Sequence, residues 1–215
     1  MPRSFTVIDA PQRSPEWHAA RLGRLTGSVA GDMLARTKSG WAASRDNLLV
    51  RLVLERMTGK SQERAFTTPA MQDGIDREPD ARAAYEAITG QLVTESGFLR
   101  HDSLMVGASL DGYMGDFQHL LSIKCRQPKA HLAYLETGKV PADAWAQLLH
   151  EMWITGAESH TYFSWNPDFP EAMQARWQTY TRDQFDIKAY EAAALAFLDE
   201  VDRKLASIKG WKAAL

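Results

Sequence analysis

The sequence predicts an α/β or α+β fold: helices first, then a cluster of short strands, then helix, strand and helix again. Three observations carry that expectation. Up to about residue 90, apolar residues recur at steps of three and four between recognisable helix caps and stops. From Leu92 to Cys125 the pattern changes to short apolar runs separated by polar or glycine turns. Beyond residue 128 helical periodicity returns, broken by one apolar run at 160–165. No repeat, low-complexity tract or linker interrupts the chain. One domain over 1–215 is therefore expected, with a helical N-terminal region (1–90), a sheet core (91–167) and a helical C-terminal region (168–215).

The elements follow in order. Ser14-Pro15 opens the first helix, with Ser as N-cap and Pro at the first helical position, and Trp17 and Arg21 lead to a stop near Gly23. Thr26 or Ser28 is expected to cap a second short helix ending near Arg36, and Lys38-Ser39-Gly40 to form a loop. Ser44 is expected to cap a third helix, with Leu48, Leu52 and Met57 apolar and Gly59 as terminator. Thr68-Pro69 opens a fourth, in which Met71, Ile75, Glu78, Arg82 and Tyr85 share a stripe; Gly90 ends it, and Pro79 should kink or break it. Strands are expected at 92–99, 105–110 and 120–125, with Gly112, Gly115 and Asp116 suited to a hairpin turn between the last two. Helices are expected at 128–136 and 141–155, the second with Trp145, Leu148, Leu149, Met152 and Trp153 on one stripe. Asn166-Pro167 ends the strand at 160–165, and a long amphipathic helix runs from about Asp183 to Ile208.

Composition narrows the function classes. With 215 residues, 45% hydrophobic and 24% charged, the chain can bury a sizeable core. It has no apolar run of about 18 residues and no secretory stretch near Met1, so neither a membrane span nor a signal is expected. A single cysteine, Cys125, excludes an internal disulfide, and a cytoplasmic protein fits best. The net charge of -2 does not advertise nucleic-acid binding. Its distribution says more, because residues 1–60 carry ten Lys/Arg against five Asp/Glu. Residues 121–140 carry Lys124, Arg126, Lys129 and Lys139 against Glu136 alone, so a basic surface on an acidic body is conceivable.

The most informative stretch is Ser109-Leu110-Asp111-Gly112 with Ser122-Ile123-Lys124. Pairing the two strands brings Asp111 beside Ser122 and Lys124, which share a face because strand period is two. A lysine on an apolar strand is costly without a partner. Converging Asp and Lys suit metal-assisted hydrolysis, and equally a plain cross-strand salt bridge. Glu78, on the apolar stripe of its helix, needs a partner too, either a metal or Arg82 at i+4. Thr26-Gly27-Ser28 before a helix, with Arg21 one short loop earlier, reads as a phosphate site. The histidines His101, His119, His131, His150 and His160 have no metal-ligand spacing. The tryptophans mostly sit at core spacing, and Cys125 reads as a small core residue.

Over roughly 14–167 the chain resembles the phage-type alkaline exonucleases, the YqaJ-like recombinases of the PD-(D/E)xK nucleases. Four ordered blocks carry the resemblance: Trp17, Arg21, Gly23 and Thr26-Gly27-Ser28; Gly74, Glu78, Arg82, Tyr85 and Gly90; Ala108-Ser109-Leu110-Asp111-Gly112 with Leu121-Ser122-Ile123-Lys124; and Ala146-Gln147 with Met152-Trp153-Ile154-Thr155-Gly156. The resemblance implies a restriction-endonuclease-like core, a central mixed β-sheet flanked by helices. It implies roles as well. Asp111 is the metal carboxylate, Ile123 adds its backbone carbonyl, Lys124 is the catalytic lysine, Glu78 holds water or metal, and Gln147 orients Lys124 or the water. Arg21, Ser28 and Ser109 bind the terminal 5′-phosphate.

This sequence departs from the family pattern at three places. Leu110 replaces a proline, Leu149 a second glutamine, and Ser122 the family's second acidic metal ligand. Serine is a weak ligand for a hard cation. A water could bridge Ser122 to the metal; Asp116, Glu78 or Glu151 could compensate; or the chain could be a non-catalytic DNA-end-binding module. The resemblance otherwise implies a Mg²⁺-dependent 5′→3′ exonuclease on double-stranded DNA, Mn²⁺ substituting. It implies a ring-shaped homotrimer and a single-strand annealing protein as partner, in the cytoplasm of a bacterial host carrying a phage or prophage. A structure-selective endonuclease of the same fold is the rival within the class.

Overall fold

The computed structural model describes residues 4–62 and 68–209. Its elements are β1 (Phe5–Ile8), α1 (Pro15–Arg21), β2 (Leu25–Thr26), α2 (Ala30–Leu34), β3 (Arg36–Thr37), β4 (Gly40–Trp41), α3 (Ala43–Thr58), α4 (Pro69–Asp76) and α5 (Glu78–Thr89). They continue with β5 (Phe98–His101), β6 (Val106–Ser109), β7 (Gly112–Met114), β8 (His119–Cys125), α6 (Pro128–Thr137), α7 (Ala142–Thr155), β9 (Ser159–Trp165), β10 (Ala175–Thr181) and α8 (Ile187–Lys209).

Two four-stranded mixed sheets form the centre, ordered β1-β5-β6-β2 and β10-β9-β8-β7. In the first, β2 runs parallel to β6 and the other pairs are antiparallel. In the second, β8 and β9 are parallel, from His119↔Ser159 to Cys125↔Trp165, and flanked by antiparallel β7 and β10. β9 is buried along its whole length, as expected of an inner strand covered on both faces. The expected mixed sheet flanked by helices is thus present, divided in two.

The helices distribute by their apolar faces. α5 covers one face of β8 and β9 through Ala81, Tyr85, Leu121, Ile123, Phe163 and Trp165. The main core gathers α2, α3, α7 and α8 against the first sheet and the other face of β8. α3 is fastened to α8 by Arg45–Glu200 and Arg56–Asp202, each at 2.7 Å. Trp145 stacks on Phe185 and Trp153 meets Tyr190 edge-on, so these tryptophans pack the core. No helix among the described residues is long and apolar enough to cross a membrane.

Ser14 caps α1 by accepting from Trp17 N, and Thr68 caps α4 by accepting from Met71 N, both as expected. The expected fourth helix divides before Pro79 into α4 and α5, hinged at Arg77. Several expectations need correction. Neither Thr26 nor Ser28 caps a helix; their hydroxyls face each other at 3.3 Å, and a single 3₁₀ turn at Gly27–Val29 precedes the five-residue α2. Ser44 lies inside α3, because the Ala42 carbonyl already accepts from Arg45 N. The run 92–99 is extended strand only from Phe98, with Thr94 forming an isolated bridge to Tyr113. The N-terminal region contains the four strands β1 to β4, and the C-terminal region contributes β10, after one 3₁₀ turn, before its long helix. These strands are short or half-exposed and show no clear apolar alternation, so only pairing reveals them.

Candidate active site

The site forms where the chain leaves one sheet for the other. The expected hairpin between 105–110 and 120–125 does not exist as such: β6 belongs to the first sheet, and β7 intervenes to pair with β8. Gly112 faces Leu121 in that pairing, which sets Asp111, at the crossing itself, opposite Ser122. Gly112 permits the crossing because a Cβ there would lie 2.3 Å from Val93 Cγ1.

Asp111 Oδ2 accepts from Ile123 N at 2.8 Å and from Lys124 Nζ at 3.2 Å. The sheet crossing thus converts a local sequence spacing into a fixed carboxylate beside a lysine. Burial works to lower the Lys124 pKa, but Asp111 and Glu151 outweigh it and hold the group above its ordinary value. Lys124 is therefore an ammonium throughout the neutral range. The Ile123 side chain is buried against α5, and its amide is committed to Asp111.

Glu78 opens α5 on the opposite wall. Arg82 Nη2 donates both to Glu78 Oε1 at 3.2 Å and to the Asp111 carbonyl at 3.3 Å, and Arg82 also pairs with Glu95. Both sequence readings of Glu78 meet here, since its i+4 partner also grips the backbone of Asp111. Burial, then the charge of Asp111, pushes Glu78 up to about 7 against the pull of Arg82 and Lys124. Glu78 and Asp111 line a cleft of about 510 Å³, with Arg82 and Glu95 among its other walls.

From the other face, α7 presents Gln147 and Glu151 at i and i+4. Gln147 Nε2 donates to Glu151 Oε1 at 2.8 Å, so its amide is turned to Glu151. Glu151 is 1% exposed. Burial, then Asp111, pushes it up to about 8, opposed by Gln147, Lys124 and Ser122. Ser122 is fully buried, its hydroxyl 3.1 Å from His160 Nε2. Glu151 Oε2 approaches the same nitrogen at 3.3 Å, so Ser122, His160 and Glu151 do not form a nucleophile relay, which needs opposite ring nitrogens. Burial pushes His160 down to about 3, leaving it neutral. His131 and His150 are fully bonded core residues, to Ser164 and Met173 and to Tyr190 and Gly107 respectively.

A second group adjoins through α1. Arg21 Nη2 donates to Ser28 Oγ at 3.3 Å, its guanidinium lies 4.1 Å from the Trp17 ring centroid, and Trp17 Nε1 donates to Ser109 Oγ at 3.0 Å. The three expected phosphate residues thus meet around Trp17, to which the sequence reading assigns no role. With only a 3₁₀ turn and a short helix following Thr26, helix-dipole attraction contributes little, and Arg21 and the hydroxyls supply the polarity. Asp116 lies in the β7–β8 turn with φ +56°, remote from Lys124 along β8, and does not replace the missing acid at 122.

A family profile, the YqaJ-like viral recombinase domain, matches residues 16–158. The chain belongs to this family. Among solved structures, this recombinase-family chain superposes on an alkaline exonuclease from Laribacter hongkongensis with TM-score 0.81 and 36% identity, covering 91% of this chain and 96% of that one. The same enzyme in complex with dAMP gives TM-score 0.82. A phage-related exonuclease from Haemophilus somnus shares the fold at TM-score 0.66 and 11% identity, over 86% of this chain and 96% of that one. No curated protein sequence matches significantly. The fold is that of the alkaline exonucleases, with their restriction-endonuclease-like core.

Sequence reasoning undervalued Arg82, Trp17 and His160, and gave Glu151 only a passing role. For Glu151 a signal existed: a carboxylate on the apolar stripe of α7, the same anomaly that singled out Glu78.

Proposed function

We propose that this member of the alkaline exonuclease family hydrolyses the 5′-ended strand of linear double-stranded DNA to mononucleotides, using Mg²⁺, with Mn²⁺ able to substitute. The observation that carries the reading is the Asp111 carboxylate, set at the sheet crossing and bonded to Lys124 at 3.2 Å. The relative's complex with dAMP, a deoxynucleoside monophosphate, supports release of that kind of product.

The donors suit a divalent ion. They are hard oxygens, the ligands of Mg²⁺ and Mn²⁺. Burial and the nearby charge of Asp111 raise Glu78, and burial and Asp111 raise Glu151, an excess of negative charge that a cation relieves. Among the described residues no three Asp, Glu, His or Cys side chains stand grouped to hold an ion in their present positions. Each carboxylate has a local partner: Asp111 has Lys124, Glu78 has Arg82 and Glu151 has Gln147. Asp111, Glu78 and the Ile123 carbonyl would hold the ion, and Ser122 through a water. When bound, the ion polarises the phosphodiester and stabilises the leaving oxygen.

The chain's own residues do the rest. Lys124 neutralises charge growing on the phosphate and orients or activates the attacking water. Gln147 positions the Glu151 carboxyl. Arg21, with Ser28 and Ser109, grips the terminal 5′-phosphate in the bidentate manner that guanidinium geometry favours. The 3′ strand left behind suits a single-strand annealing protein, and a homotrimer ring around the duplex would make digestion processive. The expected setting is the cytoplasm of a bacterial host.

The test is digestion of linear duplex bearing a 5′-phosphate or a 5′-hydroxyl, across Mg²⁺ and Mn²⁺. The 5′ label is expected to appear as mononucleotide, faster with the phosphate, and not at all with Asp111→Ala. Arg21→Lys should narrow the preference for phosphate over hydroxyl, because a point ammonium loses the fork geometry. Cleavage of closed circular duplex would instead identify an endonuclease. DNA-end binding with no hydrolysis in either metal would favour the end-binding module to which neutral Ser122 points.

A further inference from the structure

Position 122, where the metal-dependent reading calls for a second acid, holds a neutral side chain with no access to solvent. Its hydroxyl is engaged by His160 Nε2 at 3.1 Å. Directly beside it, α7 delivers a buried carboxyl whose near partners, Gln147 and the neutral His160, carry no charge. Glu151 is 1% exposed and forms no ion pair with any Lys or Arg among the described residues. Its Oε1 takes one hydrogen bond, from Gln147, and its Oε2 is buried without a hydrogen-bond partner of good geometry. A carboxyl oxygen left unsatisfied in the interior is costly, and more so when charged. The fold nevertheless makes room for it. A Cβ on Gly27 would stand 3.2 Å from Glu151 Oε1 and 3.3 Å from Gln147 Cγ, so the absence of a side chain there leaves the carboxylate its space.

Glu151 also lies within the field of the site. It interacts electrostatically with both Asp111 and Lys124, and Ser122 lies close enough to stabilise its charged form. Ser122 and Lys124 point to the α7 side of β8, whereas Leu121 and Ile123 point to α5. The strand residue and the helix residue thus face one space from opposite sides.

We propose that Glu151 is a further metal-ligating carboxylate of this enzyme, supplied from α7 into the place that Ser122 leaves neutral. The required charge has moved from strand to helix, and Ser122 is small so that the Glu151 carboxylate fits. Gln147 then acts as a positioning residue that holds Glu151 Oε1. This inference rests on the metal-dependent reading of the site.

The experiment measures Mn²⁺ binding to the DNA-free protein by electron paramagnetic resonance and calorimetry, with thermal melting alongside. Four proteins are compared: wild type, Asp111→Asn, Glu151→Gln and the exchange Ser122→Glu/Glu151→Ser. Loss of a group that only orients a ligand costs about 10–100-fold in metal affinity, so loss of a direct ligand should reach at least the upper end of that range. Glu151→Gln is expected to weaken Mn²⁺ binding that far without lowering the melting temperature of the metal-free protein. The exchange, which returns the carboxylate to β8, is expected to recover most of the affinity. Asp111→Asn losing Mn²⁺ while Glu151→Gln keeps it would overturn the assignment and leave the metal site standing. Wild type that binds no Mn²⁺ would overturn the metal-dependent reading itself, and this inference with it. If the exchange variant does not fold, Glu151→Gln alone decides, because amide for carboxylate preserves shape.

Discussion

At the residue scale, chemistry is set by which charges share a small buried volume. Lys124 stays charged because Asp111 and Glu151 outweigh the penalty of its burial. Cys125, its neighbour, goes the other way: burial, then Glu78 and Asp111, pushes the thiol up to about 12, which leaves it inert. Glu78 and Glu151 make a prediction about stability. Both have pKa values raised in the folded state, to about 7 and about 8, above an ordinary 4.5. As pH rises past 4.5 the unfolded chain loses these protons while the native chain keeps them. The contribution of Glu78 and Glu151 to metal-free stability should therefore fall from about pH 4.5 to about pH 8. Burial holds His150 and His160 neutral, however, which favours the native chain as pH rises to about 6.5, so the net decline is expected between about pH 6.5 and pH 8. A tenfold difference in proton affinity between folded and unfolded chains corresponds to about 1.4 kcal/mol. Melting curves between pH 5 and pH 9 should show the decline, Glu151→Gln should flatten it, and a divalent ion should reverse it. A melting temperature that does not fall from about pH 6.5 to about pH 8 in the metal-free protein would contradict the burial of these charges.

At the element scale, the site depends on close backbone approach. Gly107 in β6 lies under Phe98, where an added Cβ would come within 2.2 Å of Cζ and 2.7 Å of the Leu99 carbonyl. Its own carbonyl accepts from His150 of α7 at 2.9 Å. β6 is thereby clamped between β5 and the helix that carries Gln147 and Glu151, and it leads directly to Ser109 and Asp111. Gly107→Ala should cost about 1–3 kcal/mol by overpacking, read as a lower melting temperature. It should also lower the turnover of linear DNA by displacing Asp111. Wild-type stability in that variant would mean the sheet yields where it is drawn tightest. The short elements carry the rest of the geometry. The split at Pro79 places Glu78 at the first turn of α5, and the 3₁₀ turn after Thr26 brings Ser28 round to Arg21.

Across the whole molecule, two mixed sheets meet at one crossing, with α5 on one face of β8 and α7 on the other. Acidic groups therefore reach the Asp111–Lys124 pair from two helices distant in sequence. The proposed ring makes a prediction here. Native mass measurement should give three times the 24.1 kDa of one chain, and on a long linear duplex the trimer should complete one molecule before starting another. A monomeric mass together with distributive digestion would remove the ring from the proposal.

Features with local signals were legible in the chain before any folding. Caps at Ser14 and Thr68, the break at Pro79, the left-handed stops at Gly59 and Gly90, and the long C-terminal helix all follow from backbone chemistry within a few residues. Asp111, Lys124 and Glu78 stood out as polar groups at apolar positions, and the ordered blocks made the family readable. What depends on pairing over long separations was settled in space. β1 and β2 exist only through partners elsewhere in the chain, because strands this short gain their stability from neighbours, and the seven-residue β10 is mostly exposed and shows itself only through its pairing with β9. The assignment of β6 and β8 to different sheets, the turning of Gln147 toward Glu151, and the seat of Glu151 beside Ser122 likewise needed the folded molecule. A buried charge is placed by the whole set of groups around it, and in this chain those groups come from four elements that only the folded core brings together.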